Sequence, residues 1–110
     1  MNMFTISGNV SEVKVMKAEN GRKYAKFSVI HHIRKSNGTY MKGYFYMTAF
    51  DTLAESLAQF TKGSPLEFVG HFNFTEYTNE SGKTVKRIEN IADSFAVAGD
   101  GAYMGKSVSE

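Results

Sequence analysis

Four runs of this chain alternate apolar with polar residues at a period of two. Successive side chains of an extended strand point to opposite faces, so each run predicts a strand buried on one side. In the first, Phe4, Ile6, Gly8 and Val10 alternate with Thr5, Ser7 and Asn9. In the second, over 24–34, Ala25, Phe27, Val29, His31 and Ile33 share one face. Tyr24, Lys26, Ser28, Ile30, His32 and Arg34 share the other. The third, GYFYMTAF over 43–50, sets Phe45, Met47 and Ala49 against Tyr44, Tyr46, Thr48 and Phe50. In the fourth, Leu66, Phe68, Gly70, Phe72 and Phe74 oppose Glu67, Val69, His71, Asn73, Thr75 and Tyr77. Residues 84–97 read as a fifth strand whose irregular alternation does not give its facing.

Polar turns separate these runs. Asn20-Gly21 and Asn37-Gly38 each place a glycine where positive φ is free of steric cost, and TNESGK (78–83) is a third turn. Gly70, inside a long strand pattern, predicts a bulge or bend. One segment breaks the period of two. DTLAESLAQFTKG (51–63) spaces Leu53, Leu57 and Phe60 for a helix, with Ala54 and Ala58 beside them. Thr52 and Glu55 fit a capping box. Gly63 and then Pro65, the chain's one proline, mark the stop.

The order is therefore β-β-β-α-β-β. Five bent strands with one helix between the third and fourth predict an all-β OB-fold, a small Greek-key barrel; an open sandwich is the structural alternative. A chain of 110 residues holds one such domain, over 1–98, and GDGAYMGKSVSE reads as a flexible tail over 99–110. With no cysteine, disulfides and thiolate metal sites are excluded. No apolar run approaches the ~20 residues of a membrane span. MNMFTISG has no signal-peptide pattern, so the expected location is the cytoplasm.

A barrel this small fills its interior from one face of each strand. Phe45, Met47, Phe72 and Phe74 suit that interior. Tyr44, Tyr46, Phe50 and Tyr77 are then left outside, among Thr48, Asn73 and Thr75. Clustered outward aromatics mark a binding surface. Charge points the same way. Residues 14–42 hold eight bases and one acid, net +7, while the remainder nets −5. A basic surface attracts phosphates. Rings for bases beside cations for the backbone suit a single nucleic-acid strand, because a duplex hides its base faces. The plainer readings are a solvated basic face, or aromatics that pack under the 35–43 loop, under the helix or against a second subunit.

The chain resembles the bacterial-type single-stranded DNA-binding proteins, the SSB family. The resemblance covers 4–97. It rests on SGNV (7–10), NG-x-x-x-A-x-F-S-V (20–29), F-D-T-L-A-E (50–55), F-T-K-G-S (60–64), V-G-H-F (69–72), Y-T-N-E-S-G-K (77–83) and I-A-D-S (91–94). It implies that Tyr44, Phe50 and Tyr77 stack bases, with Tyr46 on the same face. Arg34, Lys35, Lys26, Asn73 and Thr75 complete the expected DNA-binding set. It also implies a homotetramer paired through the first strand, with roles in DNA replication, recombination and repair. The departures are specific. There is no tryptophan, and tyrosine stands at 44 and 77 where relatives carry it. Lys35 stands where relatives often have another aromatic, and Asn73 and Thr75 stand where arginine can occur. The closing KSVSE has one acid in place of an acidic recruiting tail. A short-tailed phage or plasmid version fits these departures; replication or recombination proteins stay candidate partners, but the acidic tail that would recruit them is not evident.

No cofactor or metal is expected. His31 and His32 are adjacent on one strand, so their rings point opposite ways. No phosphate loop, nucleophile elbow or zinc-protease helix is present in the sequence, and capping accounts for Asp51 and Glu55. The sequence reading is therefore a non-enzymatic binder of single-stranded DNA. Its rivals are another OB-type binder, such as a primosomal accessory protein, an RNA binder or an oligosaccharide binder, and an interaction module whose aromatic face is its oligomer interface.

Overall fold

The computed structural model describes residues 1–98, so the expected tail over 99–110 lies outside the described residues. The strands are β1 (Phe4–Val10), β2 (Met16–Lys17), β3 (Lys23–Arg34), β4 (Tyr40–Phe50), β5 (Pro65–Thr78) and β6 (Thr84–Val97). One helix, α1 (Asp51–Leu57), lies between β4 and β5. The sheet order is β1-β5-β6-β4-β3-β2. A further β1–β3 pairing, with Asn9 opposite Ile30 and Val10 opposite Val29, closes β1, β5, β6, β4 and β3 into a ring. This is the expected five-stranded OB barrel. The short β2 was not expected. Both of its residues are exposed, so it leaves no alternation to read.

The alternating apolar residues fill the ring. Val10, Ala25, Phe27, Val29, Met47, Ala49, Leu66 and Phe68 are buried. Ala54 and Leu57 of α1 join the same core. Phe68 packs against Phe27 at 5.4 Å between ring centroids and against Phe95 at 6.1 Å. Deleting such a buried ring costs about 3–5 kcal/mol.

The helix is shorter than its spacing suggests. It ends at Leu57, and a turn carries the chain on, with the Phe60 amide donating to the Leu57 carbonyl at 3.1 Å. Phe60 still reaches the core, edge-on to Phe95 at 5.4 Å. The capping box does not form. Phe50 is the N-cap residue and supplies no side-chain bond. Glu55 instead accepts a charge-assisted hydrogen bond from Lys23 Nζ at 2.8 Å. Asp51 opens the helix at φ 56°, a left-handed conformation that Asp tolerates better than most residues.

The bulge expected at Gly70 falls on the opposite strand. Val69 faces Ser94 and Gly70 faces Ala92, so Asp93 is the extra residue. That insertion flips the facing of β6 midway and explains its irregular alternation. Beyond this point β5 and β6 leave the barrel as a two-stranded arm, because the β1–β5 pairing ends at Phe4 opposite Gly70. Phe72 still packs on Phe4, at 5.2 Å. Phe74 does not fill the interior as its alternation suggested. It lies past the rim, 69% exposed, opposite Ile88.

Candidate nucleic-acid interface

Strand register assembles the outward face of β3 and β4. Tyr24 lies opposite Phe50, Lys26 opposite Thr48, Ser28 opposite Tyr46 and Ile30 opposite Tyr44. Directly opposed residues of an antiparallel pair share a face. Tyr44 is 50% exposed and Tyr46 68%, so both rings lie outside the barrel. Phe50 is half-buried on this face. Thr48 corrects the sequence reading: it is only 8% exposed, because β6 runs parallel to β4 there and sets Ile91 beside it.

β6 also forms the wall of a groove of about 400 Å³ alongside β3 and β4. Lys26, Ser28, Tyr46, Arg87 and Asn90 line it, together with one acid, Glu89. Asn90 Nδ2 donates to the Tyr46 carbonyl at 2.8 Å and fixes this wall against β4. Arg87 connects the groove to the arm. Its guanidinium also lies 5.6 Å from the ring centroid of Tyr77, which is 48% exposed. Asn73, opposite Glu89, and Thr75, opposite Arg87, share the Tyr77 face of the arm; Asn73 is exposed and Thr75 half-buried.

Tyr44, Tyr46 and Lys26 therefore come together on β3 and β4, and Arg87 brings Tyr77 to them. Arg34 and Lys35 do not join this group. Arg34 pairs with Tyr40 near the tip of the β3–β4 hairpin, four residues beyond Ile30. At the rise of a strand that is about 13 Å farther along. Arg87 and Asn90 were missed because the Asp93 insertion hides the facing of β6.

The basic stretch is thinner than its net charge suggests. Arg22 Nε pairs with Asp51 at 3.2 Å, Lys23 with Glu55 at 2.8 Å, and Lys14 reaches Glu12 at 4.0 Å. Lys23 has its pKa raised, first by the hydrogen bond to Glu55 and then by that carboxylate's charge. Asp51 and Glu55 thus hold two cations instead of capping the helix. Among the described residues, Lys17, Lys26, Arg34, Lys35 and Lys42 of this stretch have no acid within ion-pair reach.

The histidines are dispersed. His31 Nδ1 lies 3.2 Å from the Ser7 carbonyl, and His71 Nδ1 lies 2.9 Å from each Asp93 carboxylate oxygen. Among the described residues, no three His, Asp or Glu side chains gather to hold a metal. No described helix is long and apolar enough to cross a membrane.

Outward rings at Tyr44, Tyr46 and Tyr77, with Lys26 and Arg87 in the groove beside Tyr46, can stack unpaired bases and hold phosphates. No curated protein matches the chain significantly. The family model described as the single-strand binding protein family matches residues 1–98. That family is one of non-catalytic DNA-binding proteins. The chain belongs to the single-strand binding protein family, and its general activity is the binding of single-stranded DNA.

Proposed function

We propose that this chain coats single-stranded DNA without sequence preference during replication, recombination and repair, without catalysis and in the cytoplasm. Bases stack on Tyr44, Tyr46 and Tyr77, and Phe50 receives a further base. Lys26 and Arg87 neutralise phosphates along the groove, and Arg34 and Lys35 catch the strand farther out on the hairpin. Asn73 and Thr75 supply polar contacts on the arm. The observation that carries this reading is the set of three tyrosines, each about half exposed or more, beside Lys26 and Arg87, neither of which has an acid within ion-pair reach among the described residues. Stacking on these rings tolerates any base, because every base has a π face.

The working unit is a homotetramer. β1 supports this: from Phe4 to Gly8 it pairs with β5 on one side, while its pairing to β3 covers only Asn9 and Val10. The other side of Phe4–Gly8 offers an edge to a second copy.

A gel shift comparing poly-dT, duplex DNA and RNA at two salt concentrations tests the reading. Poly-dT should bind tightest, and its affinity should fall steeply with salt, by a slope of about 0.7 per phosphate neutralised. Equal binding of duplex, or tighter binding of RNA, would overturn it.

A further inference from the structure

A ring can stack a base only if one of its faces is open. Tyr44 and Tyr46 are 50% and 68% exposed, and Tyr77 is 48% exposed with Arg87 no nearer than 5.6 Å from its ring centroid, but half-buried Phe50 is covered more closely. The Arg22 guanidinium carbon lies 4.1 Å from the Phe50 ring centroid, over its face. The same guanidinium donates from Nε to Asp51 Oδ2 at 3.2 Å. Any base that uses Phe50 must first move Arg22.

The surroundings allow that movement. Arg22 is backbone-anchored in the turn before β3: its carbonyl accepts from the Ala18 amide at 2.8 Å, and its amide donates to Asn20 Oδ1 at 2.9 Å. The adjacent Lys23–Glu55 pair docks the same turn on α1 independently. The turn therefore stays in place when the Arg22 side chain leaves. Both contacts of the guanidinium are at the surface, with Arg22 and Asp51 each about half exposed. Exposed cation–π contacts and exposed ion pairs are both weak, so a base and a phosphate together can replace them.

We propose that Arg22 is a DNA-binding residue held in reserve over Phe50. A nucleobase takes the ring face, and the displaced guanidinium leaves Asp51 for a neighbouring phosphate. The anchored backbone limits how far it travels. Arginine suits the task because its planar guanidinium both stacks on a ring and pairs with phosphate oxygens. The free protein thereby keeps an apolar ring covered and a cation neutralised until a strand arrives. This assignment rests on the DNA-binding reading above.

The test uses the full chain with an oligo-dT. A guanidinium over a ring gives an upfield-shifted Nε–H proton signal in a nitrogen-correlated NMR spectrum. The Arg22 signal should lose that shift as the oligo-dT saturates the protein. Its persistence in the saturated complex would overturn the proposal. A second arm measures affinity against salt for Asp51→Asn, which keeps the size of the side chain and tolerates the left-handed backbone. Freeing Arg22 in this way should tighten binding at low salt and leave the salt slope close to that of wild type, because Arg22 neutralises one phosphate in both proteins. In an Arg22→Met background the same Asp51→Asn change should tighten binding less, because it then removes only the repulsion between Asp51 and the DNA. If it tightens binding equally there, Asp51 acts only by repelling DNA and the proposal fails. Tyr44→Ala runs in parallel. Should it bind as wild type does, or should wild type ignore oligo-dT, the underlying reading fails, which is distinct from failure of the Arg22 assignment alone.

Discussion

Replacing Tyr44 with Ala removes a ring that is half open to solvent and opposed across the strands by Ile30. Two magnitudes separate its two roles. As a cross-strand pair it contributes roughly 0.2–1 kcal/mol to folding. As a stacking platform it contributes about 1–3 kcal/mol to binding per base. At ~1.4 kcal/mol per tenfold, affinity for oligo-dT should fall about 5- to 150-fold while the protein stays folded. Phe74→Ala is the matched control. Phe74 is also an exposed aromatic opposed by an apolar residue, Ile88, but it sits on the other face of the arm from Tyr77. Its loss should cost similar stability and leave affinity within about twofold, below the range expected for a stacking ring. Fluorescence anisotropy of a labelled oligo-dT gives the affinities, and urea unfolding gives the stabilities. Equal losses of affinity in the two variants would refute the reasoning, since binding would then follow general apolar exposure instead of a defined face. So would a loss below twofold for Tyr44→Ala.

Three further outcomes follow from the packing and the charges. Phe68→Ala removes a fully buried ring and should lower unfolding free energy by about 3–5 kcal/mol in urea melts. Gly70→Ala would drive a Cβ into the Ile91 carbonyl oxygen and the Phe4 ring, so a loss of about 3 kcal/mol is expected in the same assay. Lys23 has a raised pKa in the folded chain, so its contribution to stability is complete below the ordinary lysine range and is lost as pH rises through the raised value. The gap in urea midpoint between wild type and Lys23→Met should therefore be present at neutral pH and close in strong alkali.

The barrel was legible wherever neighbours in sequence decide the facing of a residue. The period of two placed Ala25, Phe27, Val29, Met47, Ala49, Leu66 and Phe68 inside, and Tyr44, Tyr46 and Tyr77 outside. What failed depended on distant residues. Thr48 is buried by Ile91, on a strand that returns in parallel much later in the chain. Phe74 is exposed because the end of β1, not the pattern of β5, sets where the barrel stops. Glu55 abandons the capping role its spacing suggested because Lys23 is brought to it from 32 residues away. The same packing brings Arg22 to Asp51 and over Phe50. A net charge counted along the sequence could not reveal that cations of the basic stretch were already paired. Arg87 and Asn90 stayed hidden for a local reason, the single residue inserted at Asp93.

The most direct test of the binding face is photo-crosslinking of the protein to an oligo-dT carrying 5-iododeoxyuridine, followed by peptide mapping. A halogenated base joins the ring it stacks upon. Crosslinks are predicted at Tyr44, Tyr46 and Tyr77 and should disappear as salt is raised. Crosslinks confined to the outer face of β1 and β5, near Thr5, Ser7 and Val69, would contradict the account.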